Sequence, residues 1–289
     1  MTPEDPAPHA RATRPPTPPT APPKASPRHV VARILQYLPA VLLATALLGV
    51  WEAYVDLGSV SPIVLPAPHE VAGEAWRNSG LLASNLELTA QEVGLGVLLA
   101  LIFGFVLGVL IHLSPLLRRA VYPLAVGSQA VPVALIGVLL VFWWGFGVLP
   151  KLFVIVLICF FPVVVTTVDG LASVDPDQLK LLRTLGASRW QALRFGELPA
   201  AVPAALSGAR IALAVGVIGA YIAETSTATS GPYAGLGHQI NADINALQTP
   251  RAYAAAAVLF VFAIACFYTL ALAERLLAPW AHQPRGEIR

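Results

Sequence analysis

Charged residues are scarce in this 289-residue chain, at 12% of the sequence against about 25% in a typical soluble domain. Hydrophobic residues reach 56% and are gathered in long runs. A run of about 20 apolar residues is the length that crosses the hydrocarbon core of a bilayer as a helix. The composition therefore excludes an ordinary soluble domain and predicts an all-α protein that crosses the membrane several times.

Sulfur is almost absent, and so are the signatures of common enzymes. The two cysteines, Cys159 and Cys266, lie inside apolar runs, which favours buried thiols over a disulfide or a metal site. None of the three lysines follows a glycine, so the Gly-Lys-Ser/Thr of a P-loop is missing. HExxH, CxxC and GxSxG are also missing. We therefore expect no catalytic residue, no metal site and no cofactor in this chain.

The apolar runs predict six membrane spans. Their approximate bounds are 33–57, 88–113, 121–142, 152–171, 202–223 and 253–278. Residues 1–29 hold ten prolines and few bulky apolar residues, which predicts a disordered tail. The domains expected are this tail, a transmembrane domain over 30–280, and a second tail over 281–289.

The lysines and arginines predict how the chain is oriented. An even number of spans places both termini on one side. If that side is the cytoplasm, 15 of the 18 cations fall in cytoplasmic segments and only Arg77, Lys151 and Arg251 fall outside. This bias predicts a cell-membrane protein with both termini in the cytoplasm. This orientation also explains the basic residues, so they do not indicate that the chain binds nucleic acid.

Two further patterns bear on packing and transport. Small residues recur at helical spacing, as Gly104 and Gly108 and as Ala212, Gly216 and Ala220, which allows close helix contact within the chain or with a second copy. The centres of the predicted spans hold no ionisable residue. Because ion-coupled carriers usually carry such residues at mid-membrane, the pattern favours a pore that is driven from outside the chain.

Residues 175–199, DPDQLKLLRTLGASRWQALRFGELP, form a polar segment between two apolar runs on the predicted cytoplasmic side. Asp175 or Asp177 suits the cap of a first short helix, and Ser188 suits the cap of a second. Gly186 between them permits a sharp turn, and Leu179, Leu182 and Leu185 form one apolar stripe. Pro199 predicts a break before the fifth span. The alternatives are a projecting body that binds a second protein and an amphipathic loop on the membrane.

This segment resembles the coupling loop of ABC importer permeases, which reads EAA, three residues, Gly, nine residues, Ile-x-Leu-Pro. Gly186, Leu198 and Pro199 match at the right spacing. Lys180, Leu181 and Leu182 replace Glu-Ala-Ala, and Gly196 replaces the isoleucine. The resemblance implies the type I importer permease fold and an ATPase-coupling role for these residues: Lys180, Leu182, Arg183, Leu185, Gly186, Ala187, Ser188, Leu198 and Pro199.

Other stretches resemble the nitrate, sulfonate and taurine group of these permeases. They are LPAPHEV, SQAVPVALIGVLLVFWWGFGVLPK, FFPVVVTTVDGL and GARIALAVGVIGAYIAE. The residues around Gln129 and Gly186, together with the stretch ERLLAPW, are most similar to the sequences of permeases for thiamine-precursor pyrimidines and riboflavin.

The resemblance also implies the other subunits of an importer complex. Two permease copies would line a path, two ATPase subunits would bind ATP below it, and an extracytoplasmic binding protein would deliver a small solute. We expect the path to include polar residues within apolar spans and a proline that frees a carbonyl. These residues are Ser128, Gln129, Pro132, Tyr221 and Glu224. An ion-coupled secondary carrier and a membrane subunit without transport stay open as alternatives.

Overall fold

A computed structural model describes residues 27–128, 130–227 and 234–277, and these residues form helices without strands. The chain divides into two units, residues 1–50 and 51–289. The first unit contributes the beginning of helix α1 to the described residues, and every contact discussed below belongs to the second. Most of the tail expected over 1–29, and all of that expected over 281–289, lie outside the described residues. Helix α1 begins at Pro27, inside the first of these tails.

The helices follow one another with short connections. They are α1 (Pro27–Gly58), α2 (Pro68–Arg77), α3 (Ser79–Leu113), α4 (Pro115–Ser128), α5 (Val133–Trp144), α6 (Val148–Ala172), α7 (Pro176–Thr184), α8 (Arg189–Ala192), a π-helical segment (Leu193–Glu197), α9 (Leu198–Ser226), α10 (Leu236–Asn245) and α11 (Thr249–Leu277). Five helical stretches among the described residues are long and apolar enough to cross a bilayer. They lie in α1, α3, α6, α8–α9 and α11.

The third predicted span differs from the prediction. Instead of one helix over 121–142, the chain forms α4, which ends at Ser128, and the 12-residue α5, which begins at Val133. Pro132 is the N-cap of α5 and has extended backbone angles. A proline disfavours helical angles in the residue before it and cannot donate to a preceding turn, so two short helices replace one long helix.

The fifth span also differs from the prediction, because Pro199 does not break it. The π-helical segment runs directly into α9, and the Leu198 amide donates to the Leu193 carbonyl, five residues back. The wider π-helical turn comes just before Pro199, and the proline occupies the first turn of α9, where its missing N–H matters least. The helical stretch is therefore continuous over Arg189–Ser226.

Helices α3, α6 and α9 pack into one core. The residues that meet there are largely small or β-branched: Val93, Val97, Ala100, Ile155, Cys159, Ala212, Val217 and Ala220. The glycine pattern serves this packing within the chain. A Cβ atom on Gly104 would lie 2.8 Å from Val163 Cβ, and one on Gly108 would lie 2.7 Å from Thr167 Cβ. These two glycines therefore let α3 approach α6, and contact with a second copy is not needed to explain them.

We expect Gly108→Ala to lower the stability of the protein by about 1–3 kcal/mol, the usual cost of overpacking. The added methyl group would collide with Thr167, whose side chain is fully buried. Gly94→Ala is the matched control, because a Cβ atom on Gly94 of the same helix meets no atom within 4 Å. Thermal unfolding in one detergent should show a lower midpoint for the first variant only. Equal midpoints would contradict the close contact between α3 and α6.

Two polar layers cross the bundle at different heights. In the first, Lys151 Nζ donates to Glu92 Oε1 at 2.8 Å. In the second, His112 Nε2 and Glu197 Oε2 lie 3.0 Å apart. Glu92 and His112 are 20 residues apart on α3 with no charged residue between them. At about 1.5 Å per residue this stretch is about 30 Å long, which matches the hydrocarbon core of a bilayer. The stretch of α3 between the two layers is therefore long enough and apolar enough to cross a bilayer.

One ionisable pair lies between these two polar layers, contrary to the expectation that the span centres hold none. Arg210 of α9 forms an ion pair with Glu274 of α11, and the Arg210 guanidinium also lies 5.6 Å from the centre of the Phe267 ring. Arg210 was counted with the cytoplasmic segments in the sequence, although it falls within the predicted fifth span. Pairing with Glu274 offsets the cost of placing this cation in an apolar helix.

Candidate functional site

Helix α7 opens the 175–199 segment, and its start is fixed by local hydrogen bonds. The Asp177 amide donates to Asp175 Oδ1 at 2.8 Å, and Pro176 occupies the first turn. The Lys180 ammonium donates to Asp177 Oδ1 at 2.8 Å, and both side chains are exposed. Of the two residues that the sequence offered as the cap of this helix, Asp175 is therefore the cap and Asp177 is not.

The turn between α7 and α8 requires a glycine. Gly186 has a φ of +80°, in the left-handed region that other residues rarely adopt. The Ala187 amide donates to the Leu182 carbonyl and the Gly186 amide to the Arg183 carbonyl, which is the Schellman arrangement. The Ser188 amide then donates to Gln191 Oε1 at 2.8 Å in a capping box. Two short helices joined at a glycine are thus confirmed.

The three leucines of the predicted stripe do not pack together. Leu179 and Leu182 lie over Gly196, where a Cβ atom would be 3.0 Å from Leu182 Cδ1. Leu185 ends the helix and is 75% exposed. The chain reverses at Gly186, so only the first two leucines lie above the π-helical segment, and Leu185 projects away from it. The prediction of a single apolar stripe was therefore wrong for Leu185.

The base of the segment is anchored to the membrane-embedded helices. Leu193 is buried with Leu171 and Ala201. The His112–Glu197 pair and a hydrogen bond from Arg189 to the Leu113 carbonyl hold the segment against the end of α3. A polar cavity of about 520 Å³ lies between these parts and is also lined by Arg183. A displacement of the segment would therefore act directly on α3 and α9.

The remaining surface of the segment is exposed and apolar. Leu181, Leu185, Trp190 and Phe195 are each more than half exposed. They stand beside the exposed cations Lys180, Arg183 and Arg194. A projecting surface of large apolar side chains bordered by charge is typical of a protein interface. Of the predicted coupling residues, Leu182, Ala187 and Leu198 are half-buried at the base. Pro199 is exposed in the first turn of α9, beside α3 and α6, and the other coupling residues are exposed within the segment.

The structure describes four of the five residues predicted for a path. Ser128 ends α4, Pro132 begins α5, and Gln129 lies outside the described residues. Tyr221 is partly exposed on α9. Glu224, one turn further along, is fully buried, and its carboxylate accepts hydrogen bonds from the Thr89 hydroxyl at 2.7 Å and from the Gly237 amide. Their role in a path stays a prediction.

Sequence reasoning missed the buried polar cluster around Glu224. It includes Thr89, Glu92 and Lys151, of which Lys151 is only 1% exposed. The Leu236 amide donates to Thr89 Oγ1 at 2.9 Å, so the cluster also holds the start of α10. A signal was present, because the spacing of Asn85, Thr89 and Glu92 places all three on one face of α3. Polar residues that share one face of an apolar helix indicate a protein-facing surface.

Three side chains that could hold a metal ion lie close together at the C-terminal end of α1 and the start of α2. Ligand atoms of Glu52, Asp56 and His69 lie within 4.8 Å of one another. The Glu52 carboxylate already accepts hydrogen bonds from the ring and the backbone amide of His69 at the start of α2. The hydrogen bond to Glu52 raises the pKa of His69 above its usual 6.5. The cluster thus links the end of α1 to α2.

Comparison with known proteins identifies the family. Residues 96–282 match the model of the binding-protein-dependent transport system inner membrane component. The formylaminopyrimidine transport permease ThiX of Halalkalibacterium halodurans is 31% identical over 86% of this chain and 98% of its own length. The riboflavin transport permease RibX of Chloroflexus aurantiacus is 34% identical over 84% and 89%. The taurine transport permease TauC of Escherichia coli is 32% identical over 84% and 88%.

These matches agree with the features found in the fold. The matched region contains the core residues of α6 and α9, those of α3 from Val97 onward, and the whole 175–199 segment. The relatives are named as transport permeases, and the family model describes a binding-protein-dependent system, which favours an importer over an ion-coupled carrier. The chain is a multi-pass membrane protein that belongs to the family of binding-protein-dependent transport inner-membrane components, as a type I ABC importer permease of the nitrate, sulfonate and taurine type.

Proposed function

We propose that the 175–199 segment is the surface through which a separate ATPase drives this permease. The observation that carries the proposal is the projecting apolar face, with Leu185 at its tip, on a base hydrogen-bonded to α3 and continuous with α9. Because the sequence has no P-loop, the proposal assigns ATP binding to the separate ATPase subunit and treats this chain as a non-catalytic subunit without a cofactor of its own. Lys180 and Arg183 would face acidic groups of the ATPase.

The assembly that follows has two copies of this chain, two ATPase subunits and one extracytoplasmic binding protein. The excess of lysine and arginine supports a cytoplasmic position for both termini and for the 175–199 segment. The solute path then runs between the two copies, with Ser128, Gln129, Pro132, Tyr221 and Glu224 as candidate lining residues. Tyr221 is the best supported by geometry, because its side chain remains partly exposed in a single copy.

The solute is proposed from the relatives. ThiX and RibX favour a thiamine-precursor pyrimidine or riboflavin, and TauC together with a nitrate permease keeps sulfonates, taurine and nitrate open. Because the binding protein selects the solute before it reaches the permease, the path itself needs only modest specificity.

The test is uptake by proteoliposomes that contain this chain and its ATPase, with purified binding protein added. We expect accumulation of formylaminopyrimidine or riboflavin that requires ATP inside and survives collapse of the ion gradients. Accumulation driven by an ion gradient without ATP would overturn the importer mechanism. Accumulation of taurine or nitrate instead would overturn the solute assignment and leave the mechanism in place.

A further inference from the structure

The polar cavity at the base of the 175–199 segment collects ionisable side chains from four parts of the fold. Its volume of about 520 Å³ is within the range of about 300–1,000 Å³ that is usual for ligand pockets. Its ionisable lining residues are His112 at the end of α3, Arg183 of α7, Arg189 of α8 and Glu197 of the π-helical segment. The cavity is therefore large enough for a small organic ligand and is surrounded by groups that recognise charge.

The positive charges around the cavity exceed the negative ones. Among the described residues that line it, Glu197 alone carries a carboxylate, and Glu197 Oε2 lies 3.0 Å from His112 Nε2. Arg189 donates to the Leu113 carbonyl, which is uncharged. The Arg183 guanidinium forms no ion pair with any residue that the structure describes. Two guanidiniums thus border one cavity, and the single carboxylate there is already engaged by a histidine.

An oxyanion is the ligand that this arrangement suits. A guanidinium stays protonated at any physiological pH, so Arg183 and Arg189 cannot reduce their repulsion by losing a proton. The planar fork of a guanidinium donates two parallel hydrogen bonds to a carboxylate or a phosphate. A carboxylate has two oxygens and suits one such fork. A phosphate ester carries up to two negative charges and three acceptor oxygens, so it can accept from both arginines and is the better match.

The remaining lining residues are apolar and indicate what the phosphate is attached to. They are Leu113, Leu179, Ala187 and Ala192. A free inorganic phosphate would leave these side chains without a partner, whereas a phosphate ester can place its carbon atoms against them. The class of ligand is therefore an organic phosphate. Two sources have this chemistry, the headgroup of an anionic phospholipid and a soluble phosphate ester.

We propose that this cavity is a binding site for an organic phosphate, which Arg183 and Arg189 hold. Arg183 lies before the turn at Gly186 and Arg189 lies after it, so one bound phosphate would connect α7 to α8. Because Arg189 is itself bonded to Leu113, the same phosphate would connect α7 to the end of α3. Its binding would stiffen the 175–199 segment against α3. The site goes beyond the proposed function, since it requires no other protein.

The first experiment measures binding to the full-length permease in an uncharged detergent. Glycerol 3-phosphate is titrated by calorimetry at constant ionic strength, with glycerol as the blank. We expect a saturable heat for the wild type and a dissociation constant about tenfold higher in Arg183→Gln, which loses one charged donor. Arg194→Gln is the matched control, because Arg194 is an exposed arginine of the same segment outside the cavity lining. No saturable heat, an unchanged affinity in Arg183→Gln, or equal weakening in both variants would overturn the proposal.

The second experiment distinguishes the two sources. The wild-type permease is placed in nanodiscs of phosphatidylcholine, whose headgroup is uncharged overall, with or without phosphatidylglycerol. If the lipid headgroup is the ligand, phosphatidylglycerol should abolish the binding of glycerol 3-phosphate, because the site is already filled. If a soluble ester is the ligand, the binding should be the same in both nanodiscs. Either result supports the phosphate site and names its source.

The competing occupant is a carboxylate of the ATPase, because Arg183 also borders the exposed face of the segment. In the nucleotide-free permease–ATPase complex, glycerol 3-phosphate should still bind more weakly to Arg189→Gln than to the wild type. If that difference disappears in the complex, the ATPase fills the cavity and the phosphate site is overturned. Failure of the wild-type permease to bind the ATPase at all would instead count against the proposed function.

Discussion

Leu185→Asp is expected to release the ATPase subunit while the permease remains folded. Leu185 is 75% exposed and ends α7, so the aspartate disturbs little within this chain. In the complex, the change removes a buried leucine side chain, worth about 1.5–3 kcal/mol, and adds a charge that must be desolvated. A loss of about 1.4 kcal/mol lowers an affinity tenfold, so we expect at least a 10- to 100-fold weaker association. Co-purification of the ATPase measures this.

Two controls make that result specific. Leu185→Met keeps the apolar contact and should retain the ATPase. Gly186→Asn tolerates the left-handed turn, whereas the β-branched Gly186→Val does not, so only the valine should change the angle between α7 and α8. If Leu185→Asp and Gly186→Val are folded and still hold the ATPase as tightly as the wild type, the 175–199 segment is not the coupling surface.

Glu92→Gln is expected to lower the stability of the membrane-embedded core by about 3–5 kcal/mol. The ion pair between Glu92 and Lys151 is almost fully buried, with side-chain exposures of 5% and 1%. The glutamine would remove the carboxylate charge that Glu92 places beside the buried Lys151 ammonium, and removing one partner of a buried ion pair is far more costly than the net contribution of the pair. The thermal unfolding midpoint in one detergent should fall sharply.

The double variant Glu92→Gln/Lys151→Met provides the control. The double variant removes the buried cation together with the carboxylate, so it should recover most of the lost stability. Glu224 belongs to the same cluster, and Glu224→Gln should show whether its carboxylate shares in balancing Lys151. If Glu92→Gln unfolds at the wild-type temperature, the pair does not hold α3 and α6 together.

Much of the 175–199 segment could be predicted because its signals are local. A cap is a side chain that accepts from a backbone amide two or three residues away, so Asp175 and Ser188 are visible in the sequence. A left-handed turn selects glycine, so Gly186 is visible as well. The stacking of Leu179 and Leu182 on Gly196 was not predictable, because it depends on how far the chain folds back after the turn.

The candidate path was predicted less well, for a related reason. A polar residue in an apolar span indicates a protein-facing position but not which neighbour it faces. In Glu224 the neighbours are Thr89, 135 residues away, and Gly237. That contact gives the carboxylate a role in holding α10 within this chain. Which of the candidates also face a second copy stays a prediction until the assembly is probed.

The order of residues was enough to predict that this chain crosses a membrane, where most of its spans lie, and that a capped helical turn lies between two of them. Those features follow from the thickness of the bilayer and from hydrogen bonds between near neighbours. The tertiary structure alone decided that the third span divides before Pro132, that the fifth continues through Pro199, and that Lys151 is buried against Glu92. Some of these features depend on contacts between residues far apart in the chain. The others depend on which helix geometry, α or π, packs best against the neighbouring helices.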